Sequence, residues 1–332
     1  MDSAKFKAFV VKEIEDKKYI REIVEKNIDD LPEGEVLMEV QYSSLNYKDA
    51  LSAHGNKGVT RNYPHTPGID AAGIVAESSS NAFAKGDKIL ITGYDLGMNT
   101  SGGFQQYIRV PSSWVIKLPD NLSLKEAMTY GTAGFTAALS VYKLISSGIK
   151  PEDGEILVTG STGGVGSIAA ALLANLGYLV VGVTGKQDKR EMLLDLGVYD
   201  VISREEADDK SGKPLLKGRW AGVIDTVGGN ILATAIKSTE YGGVVTCCGN
   251  AASAELPASV YPFILRGISL LGVDSVQCPI DLRLKIWELL SSDWKVDISS
   301  NVEEITLEEL EQKINLILQG KISGRVIVNL KK

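Results

Sequence analysis

Histidine and cysteine are scarce in this chain, two and three residues among 332. A zinc site needs three or four His, Cys or carboxylate ligands drawn together from short spacings, and no such cluster can be read in the sequence, so no metal is expected. Two of the cysteines are adjacent, Cys247 and Cys248. Three in total cannot build a disulfide framework, fit a reducing compartment and read as core residues. His54 and His65 fall in a polar stretch containing glycine and proline, where they read as surface loop residues, and a hydrolytic triad has little to draw on. A basic surplus is also missing: 35 Lys and Arg stand against 42 Asp and Glu, a formal charge of -7. That balance argues against nucleic acid, whose phosphates are bound by clustered cations. No apolar run approaches the ~20 residues of a membrane helix, and residues 1–10 carry too short an apolar run for a signal peptide. The expectation is a cytoplasmic protein with no membrane partner, acting on small molecules.

What remains is enough chain for roughly two domains with a sizeable core. From Phe6 to Ile116 the pattern is of short strands; Val36, Met38, Val40 and Tyr42 alternate with Leu37, Glu39 and Gln41, a period of two. Turn formers such as Pro32-Glu33-Gly34, Pro67-Gly68 and Ser101-Gly102-Gly103 punctuate it, which predicts a small twisted barrel. Ser123 and Glu126 have capping-box spacing and predict a helix leading out of this region. Beyond Pro151 strand and helix alternate. Apolar runs at Ile156-Leu157-Val158 and Leu179-Val180-Val181 suit a sheet covered on both faces, and further strands are expected at 201–202, 221–227, 244–248 and 268–273. Six strands with intervening helices make a doubly wound nucleotide-binding sheet, with a ligand expected at its switch point. A helix at about 307–318, ended by Gly320, and a strand over 325–330 close the pattern; that strand is expected to rejoin the first domain.

The first strand of the second region runs into Gly160-Ser161-Thr162-Gly163-Gly164-Val165-Gly166, which opens a helix reaching Leu176. Glycine lets a backbone approach a pyrophosphate, and the helix N-terminus offers free N–H groups. Ser161 stands where the usual pattern has its first glycine. Ser161, Thr162, Gly163, Gly164, Val165 and Gly166 are therefore candidate dinucleotide contacts. An NAD site would place Asp or Glu at the end of the next strand, about 20 residues on; this chain has Thr184-Gly185-Lys186. A hydroxyl and cations suit the extra phosphate of NADP(H), so Thr184, Gly185, Lys186 and Arg204 complete the candidate set. Lys189 and Arg190 read as solvated residues of a helix's first turn.

Several segments together carry a resemblance: Ser43-Ser44-Leu45-Asn46-Tyr47-Lys48-Asp49-Ala50, Pro67-Gly68-Ile69-Asp70, Gly131-Thr132-Ala133-Gly134-Phe135-Thr136-Ala137, the glycine turn and Asp225-Thr226-Val227-Gly228. The chain resembles the zinc-free medium-chain dehydrogenase/reductases, and within them the quinone oxidoreductase-like, acryloyl-CoA reductase type. Tyr241-Gly242-Gly243, Pro262-Phe263-Ile264-Leu265-Arg266 and Leu271-Gly272-Val273-Asp274-Ser275 extend the match over nearly all of the chain. Zinc-dependent relatives place a cysteine near 46–49, a His-Glu pair after the glycine matching Gly68, and a four-cysteine lobe; here Tyr47 and Ile69-Asp70 stand at those places and the lobe is missing.

The resemblance implies an α/β fold, a Rossmann doubly wound parallel sheet plus a GroES-like β-barrel, with residues 1–125 and 298–332 in the barrel and 126–297 in the Rossmann domain. It implies an NADPH-dependent reductase of the activated C=C bond of an acryloyl-CoA-type thioester. A quinone or another activated alkene is the alternative acceptor, and a non-catalytic NADPH-binding sensor the alternative of another class. Tyr47 is the first catalytic candidate, as a cofactor contact or as a donor to an oxyanion, against a purely packing role. Asn46, Asp49 and Tyr63 are weaker, and Asp49 also reads as a residue tying down its turn. By resemblance alone, Ser275 and Arg325 approach the cofactor; Cys248, which ends the fifth strand, offers a backbone group near the nicotinamide ribose, with no chemical role for its thiol. Lys57 and Arg61 are candidates for a CoA end and equally for a solvated loop. A homodimer through the apolar edge 268–273 is expected.

Overall fold

The structure, a computed structural model, describes residues 5–332, so the reading of residues 1–10 falls partly, at 1–4, outside them. In chain order the first strands are β1 (Lys5–Glu15), β2 (Lys18–Asn27) and β3 (Val36–Ser44), followed by helix α1 (Tyr47–Ala53). Then come β4 (Asp70–Ser78), β5 (Lys88–Thr92), β6 (Tyr107–Val110), β7 (Ile116–Lys117) and the helical run α2 (Leu124–Ser146). The alternating region holds β8 (Glu155–Val158), α3 (Gly164–Asn175), β9 (Leu179–Thr184), α4 (Arg190–Asp195), β10 (Asp200–Ser203) and β11 (Trp220–Asp225). It continues through α5 (Gly229–Ser238), β12 (Thr239–Cys247), α6 (Tyr261–Arg266), β13 (Ser269–Gly272) and α7 (Ile280–Ser291), and the chain closes with β14 (Val302–Ile305), α8 (Leu310–Leu318) and β15 (Arg325–Asn329). Two compact units result. One holds the residues up to Thr132 with Val276–Pro279 and Asn301–Lys332, the other Ala133–Ser275 and Ile280–Ser300.

In the first unit β1 and β2 form an antiparallel ribbon, and a seven-stranded sheet runs β14-β15-β3-β4-β5-β7 with β6 also paired to β3. β15 is parallel to β14 and antiparallel to β3, so the late strand joins the early sheet. Strict alternation fails in β3. Val36, Met38 and Val40 face the main core, while Leu37 packs in a second cluster with Phe6, Ala8, Val10 and Leu31. A strand covered on both faces has no solvent side to keep polar. His65 also departs from the surface reading: its backbone pairs both ways with Val11, a ring nitrogen lies 2.9 Å from the Gly97 carbonyl oxygen, and it is buried. Burial lowers its pKa, because a desolvated imidazolium is disfavoured.

The second unit is a six-stranded parallel sheet in the order β10-β9-β8-β11-β12-β13. The strand order reverses between β8 and β11, the place where such a sheet leaves a crevice for a ligand. Leu157, Val181, Val223 and Val245, from four adjacent strands, lie in one core cluster with Ile231, Ala235 and Ile236 of α5. At α2, Ser123 and Glu126 make the reciprocal capping box: the Ser123 N–H donates to the Glu126 carboxylate (2.8 Å) and the Glu126 N–H to Ser123 Oγ (3.1 Å). Within the run Gly131 (φ 51°, ψ −155°) breaks the helix.

Candidate functional site

The cradle of the second unit is made mostly of backbone. Gly160 turns the chain out of β8 with φ 59°, a conformation glycine adopts without strain. Gly163 caps α3 and donates its own N–H to the Gly160 carbonyl (2.9 Å), and Gly164 and Val165 are partly exposed at the helix N-terminus, where free N–H groups and the positive end of the helix dipole favour an anion. A Cβ at Gly166 would drive into the Gly160 carbonyl oxygen, so the third glycine sets how closely helix and turn pack. Ser161 is buried and faces inward, its N–H and hydroxyl both donating to the Val183 carbonyl (3.0 and 2.9 Å). It fastens the turn to β9.

Beside the turn, Thr162, Thr184, Gly185, Lys186 and Arg204 line one small cavity of about 60 Å³. The Thr162 and Thr184 hydroxyls are 3.1 Å apart, and Thr184 Oγ1 accepts the Lys186 N–H at 3.0 Å. A Cβ on Gly185 would stand 3.1 Å from the Arg204 guanidinium, so the missing side chain lets that cation lie over the loop. Burial, and then the nearby Lys189 and Arg204 charges, lower the Lys186 pKa, with Asp188 opposing. A bound dianion would relieve that repulsion. Arg190 reaches Asp200 (3.0 Å), and Lys189 pairs loosely with Asp188 (3.7 Å). At the switch point Thr159 Oγ1 donates to Asp225 (2.7 Å), and the Asp225 carboxylate also accepts the Gly228 N–H (2.8 Å). This stitch between β8 and β11 was invisible to spacing, since its two residues lie 66 positions apart.

The first unit holds a buried polar network beneath α1. Asp70 accepts hydrogen bonds from Ser44 Oγ (2.5 Å), Asn46 Nδ2 (2.7 Å), the Thr132 N–H (2.9 and 3.0 Å) and Thr132 Oγ1 (2.5 Å). Asp49 accepts the backbone N–H groups of Asn46, Gly68 and Ile69 (2.8–3.1 Å). Arg325 donates to the carbonyls of Thr129 and Leu45 and to Asn46 Oδ1, and both carboxylates favour its charge against burial. Burial, then the Asp70 charge, pushes the Asp49 carboxyl up to about 7. A Cβ on Gly131 would fall 2.5–2.9 Å from Ser44 Oγ, Asp70 Oδ2 and Arg325 Nη2. With φ 51° as well, that position has room only for glycine.

Asn46, Asp49 and Arg325 thus come together, and what they surround is the N-terminus of α1; Asp49 and Asn46 make its reciprocal cap. Tyr47, the first residue of that helix, is 48% exposed. Tyr63 donates to the Ser52 carbonyl (2.6 Å) and packs on Tyr19. Lys57 pairs with Glu13 (2.7 Å) and lies over the Tyr63 ring, and Arg61 is exposed. In the second unit Cys248 is half-buried, its thiol pushed up to about 12 by burial and then by Asp225, so it holds a proton rather than serving as a nucleophile. Ser275 is half-buried, and its carbonyl accepts from Arg283 (2.9 Å). Among the described residues no group of three or more His, Cys, Asp or Glu side chains is placed to hold a metal ion, and no helix is long and apolar enough to cross a membrane.

Residues 32–120 match the family model of the alcohol dehydrogenase GroES-like domain, and residues 164–292 that of the zinc-binding dehydrogenase. YhfP of Bacillus subtilis, named as a quinone oxidoreductase, is 50% identical over 91% of this chain and 92% of its own. The acrylyl-CoA reductase AcuI of Ruegeria pomeroyi is 42% identical over 98% and 99%. Among solved structures, the yhdH oxidoreductase of Salmonella enterica in complex with NADP superposes with a TM-score of 0.94 at 41% identity, covering 97% of this chain and 99% of that one. The B. subtilis yhfP structure, with NAD bound, gives 0.96 at 47% identity, covering 99% and 100%. Identity of this order along essentially the whole length, on the same two folded units, means that the chain belongs to the medium-chain dehydrogenase/reductases, as an oxidoreductase of the zinc-free branch that contains YhfP and AcuI.

Proposed function

We propose that the chain is an NADPH-dependent reductase of the activated C=C bond of an acryloyl-CoA-type enoyl thioester. The observation that carries the cofactor part is the cavity beside the glycine turn, where Thr184 takes the place of the acid an NAD site uses and Lys186 and Arg204 supply cations. The acceptor part rests on the near full-length similarity to AcuI. NADPH, when bound, supplies the hydride. The chain's own work is to seat the pyrophosphate on the N-terminus of α3, to neutralise the additional phosphate with Lys186 and Arg204, and to offer a hydroxyl donor to the oxygen on which negative charge develops. Tyr47 is that donor or a contact to the cofactor itself. Asn46 and Asp49 hold its helix, Ser275 and Arg325 are carried as cofactor contacts by resemblance, and Cys248 offers a backbone group near the nicotinamide ribose. A quinone is the second reading, favoured by the similarity to YhfP and by the engagement of Lys57 with Glu13.

Steady-state oxidation of NADPH and of NADH, with acryloyl-CoA beside a simple quinone, tests both parts. The proposal expects efficient turnover of the thioester with NADPH and a preference over NADH that falls about tenfold in Arg204→Ala, the value of one charge-assisted contact. Turnover of the quinone alone would replace the acceptor, and equal use of NADH would remove the cofactor assignment.

The same reading includes a homodimer through β13. That strand ends its sheet, and the adjacent α6 exposes Ile264 (68%) and Leu265 (57%), a bare edge that would otherwise invite aggregation. Light scattering behind size-exclusion chromatography should give twice the 35.7 kDa chain mass; a monomer at micromolar concentration would reject it.

A further inference from the structure

A cavity of about 520 Å³ in the second unit shares no lining residue with the cofactor cradle. The two open on neighbouring residues of α5: Ile231 lines the cradle and Asn230 the larger cavity. Lys210, Lys213 and Lys237 converge on it, against Asp209 as the one acid among its lining residues. This is an unexpected sign of charge for a chain of net charge -7.

The cations are not equivalent. Lys237 is 7% exposed, held by Asp209 at 2.8 Å, and that carboxylate also takes the N–H and hydroxyl of Ser211. This part-buried pair forms the floor. Lys210 reaches Asp208 (2.6 Å) with its side chain 73% exposed, an arrangement worth little in water and readily exchanged for a better anion. Lys213 is exposed and makes no ion pair among the described residues. Ser259 is also among the lining residues, and its hydroxyl is shielded from solvent and has no hydrogen-bond partner. Buried hydroxyls are almost always bonded. Two exchangeable ammonium groups and a fixed third match an anion with several acceptor oxygens, and the volume lies within the ~300–1,000 Å³ of small-molecule sites.

We propose that this cavity is a second anion site, for a phosphate-bearing molecule distinct from the dinucleotide. One chemistry has two sources here, the phosphorylated nucleotide end of a CoA thioester and a free phosphate or pyrophosphate ligand; the first source rests on the function proposed above, and the site itself does not.

The test is calorimetric titration of the full chain, saturated with NADP so that the cradle is filled, with pyrophosphate and with adenosine 3′,5′-bisphosphate. Saturable binding of at least one probe is expected, weakened about tenfold or more in Lys210→Ala/Lys213→Ala. The charge reversal Lys213→Glu should weaken it as well, and unchanged melting temperatures and NADP affinity would show that the fold and cradle persist in both variants. Absence of binding by either probe, or equal binding to the double variant, overturns the proposal. A second arm separates the sources. A several-fold rise in KM for acryloyl-CoA in the double variant, with KM for a simple quinone unchanged, assigns the site to the nucleotide end of the thioester; binding without that rise assigns it to a free phosphate ligand. Should the thioester not be turned over at all, the calorimetric arm still decides whether the site exists.

Discussion

The glycine turn proposed as the cofactor cradle and the network under α1 address the same problem, holding charge where water is thin, by opposite means. The cradle uses backbone from one short stretch, Gly160 to Gly166, with Thr184 to Lys186 brought beside it by the neighbouring strand. The network uses side chains from four places, Ser44 to Asp49, Asp70, Thr132 and Arg325, packed against Gly131, each useless without the others. A backbone-built site tolerates changes of side chain but not added bulk. A side-chain network tolerates neither, because every member lost leaves a buried group unmatched.

Removing Asp70 should separate the two regions most sharply. Asp70→Ala takes the shared acceptor from Ser44, Asn46 and Thr132 and leaves Asp49 as the remaining carboxylate beside the buried Arg325. A loss of about 3–5 kcal/mol is expected from chemical denaturation, and a loss below about 1 kcal/mol would show that water replaces the carboxylate. Gly166→Ala should act in the opposite sense. Its added methyl meets the Gly160 carbonyl, so the NADPH Kd should rise about a hundredfold, near 2.7 kcal/mol, read by fluorescence titration, while the melting curve moves much less. Equal damage to stability and binding would erase the distinction.

The smallest expected effect concerns pH. The Asp49 carboxyl is raised to about 7, against about 3.9 in the unfolded chain. A raised acid stabilises the fold fully only below its unfolded pKa, and that contribution is lost as pH rises toward the folded pKa. Between pH 5 and 7 the wild type should therefore lose about 2 kcal/mol relative to Asp49→Asn, flattening above 7, as measured by denaturation at each pH. A difference between wild type and Asp49→Asn that stays constant from pH 5 to 7 would mean that Asp49 is ionised throughout.

The same contrast explains what the sequence could reveal. Strand period, glycine spacing and the absence of an acid at Thr184 are local signals, so the six parallel strands and the elements of the cradle could be read directly. Asp70 could be noticed only as part of a resemblance, because nothing near it in the chain shows that Thr132 and Arg325 will become its neighbours. Gly131 carried no physical reading either, since its need for a left-handed backbone arises from Ser44 and Arg325 pressing on it. His65 misled for a related reason: its polar surroundings in the chain are not its surroundings in space, where the backbone of Val11 draws it inward.

Strand β15 gives the two units different histories during synthesis. The parallel sheet has all six strands once Gly272 has been made, and it can condense while the ribosome is still at work. The other sheet lacks an inner strand, the one flanked by β14 and β3, until residues 325–329 emerge. Because domains fold as units in the order their residues appear, the half that begins first finishes last. Until then the newborn chain carries β3 with an open flank, and that interval is when a chaperone would find it.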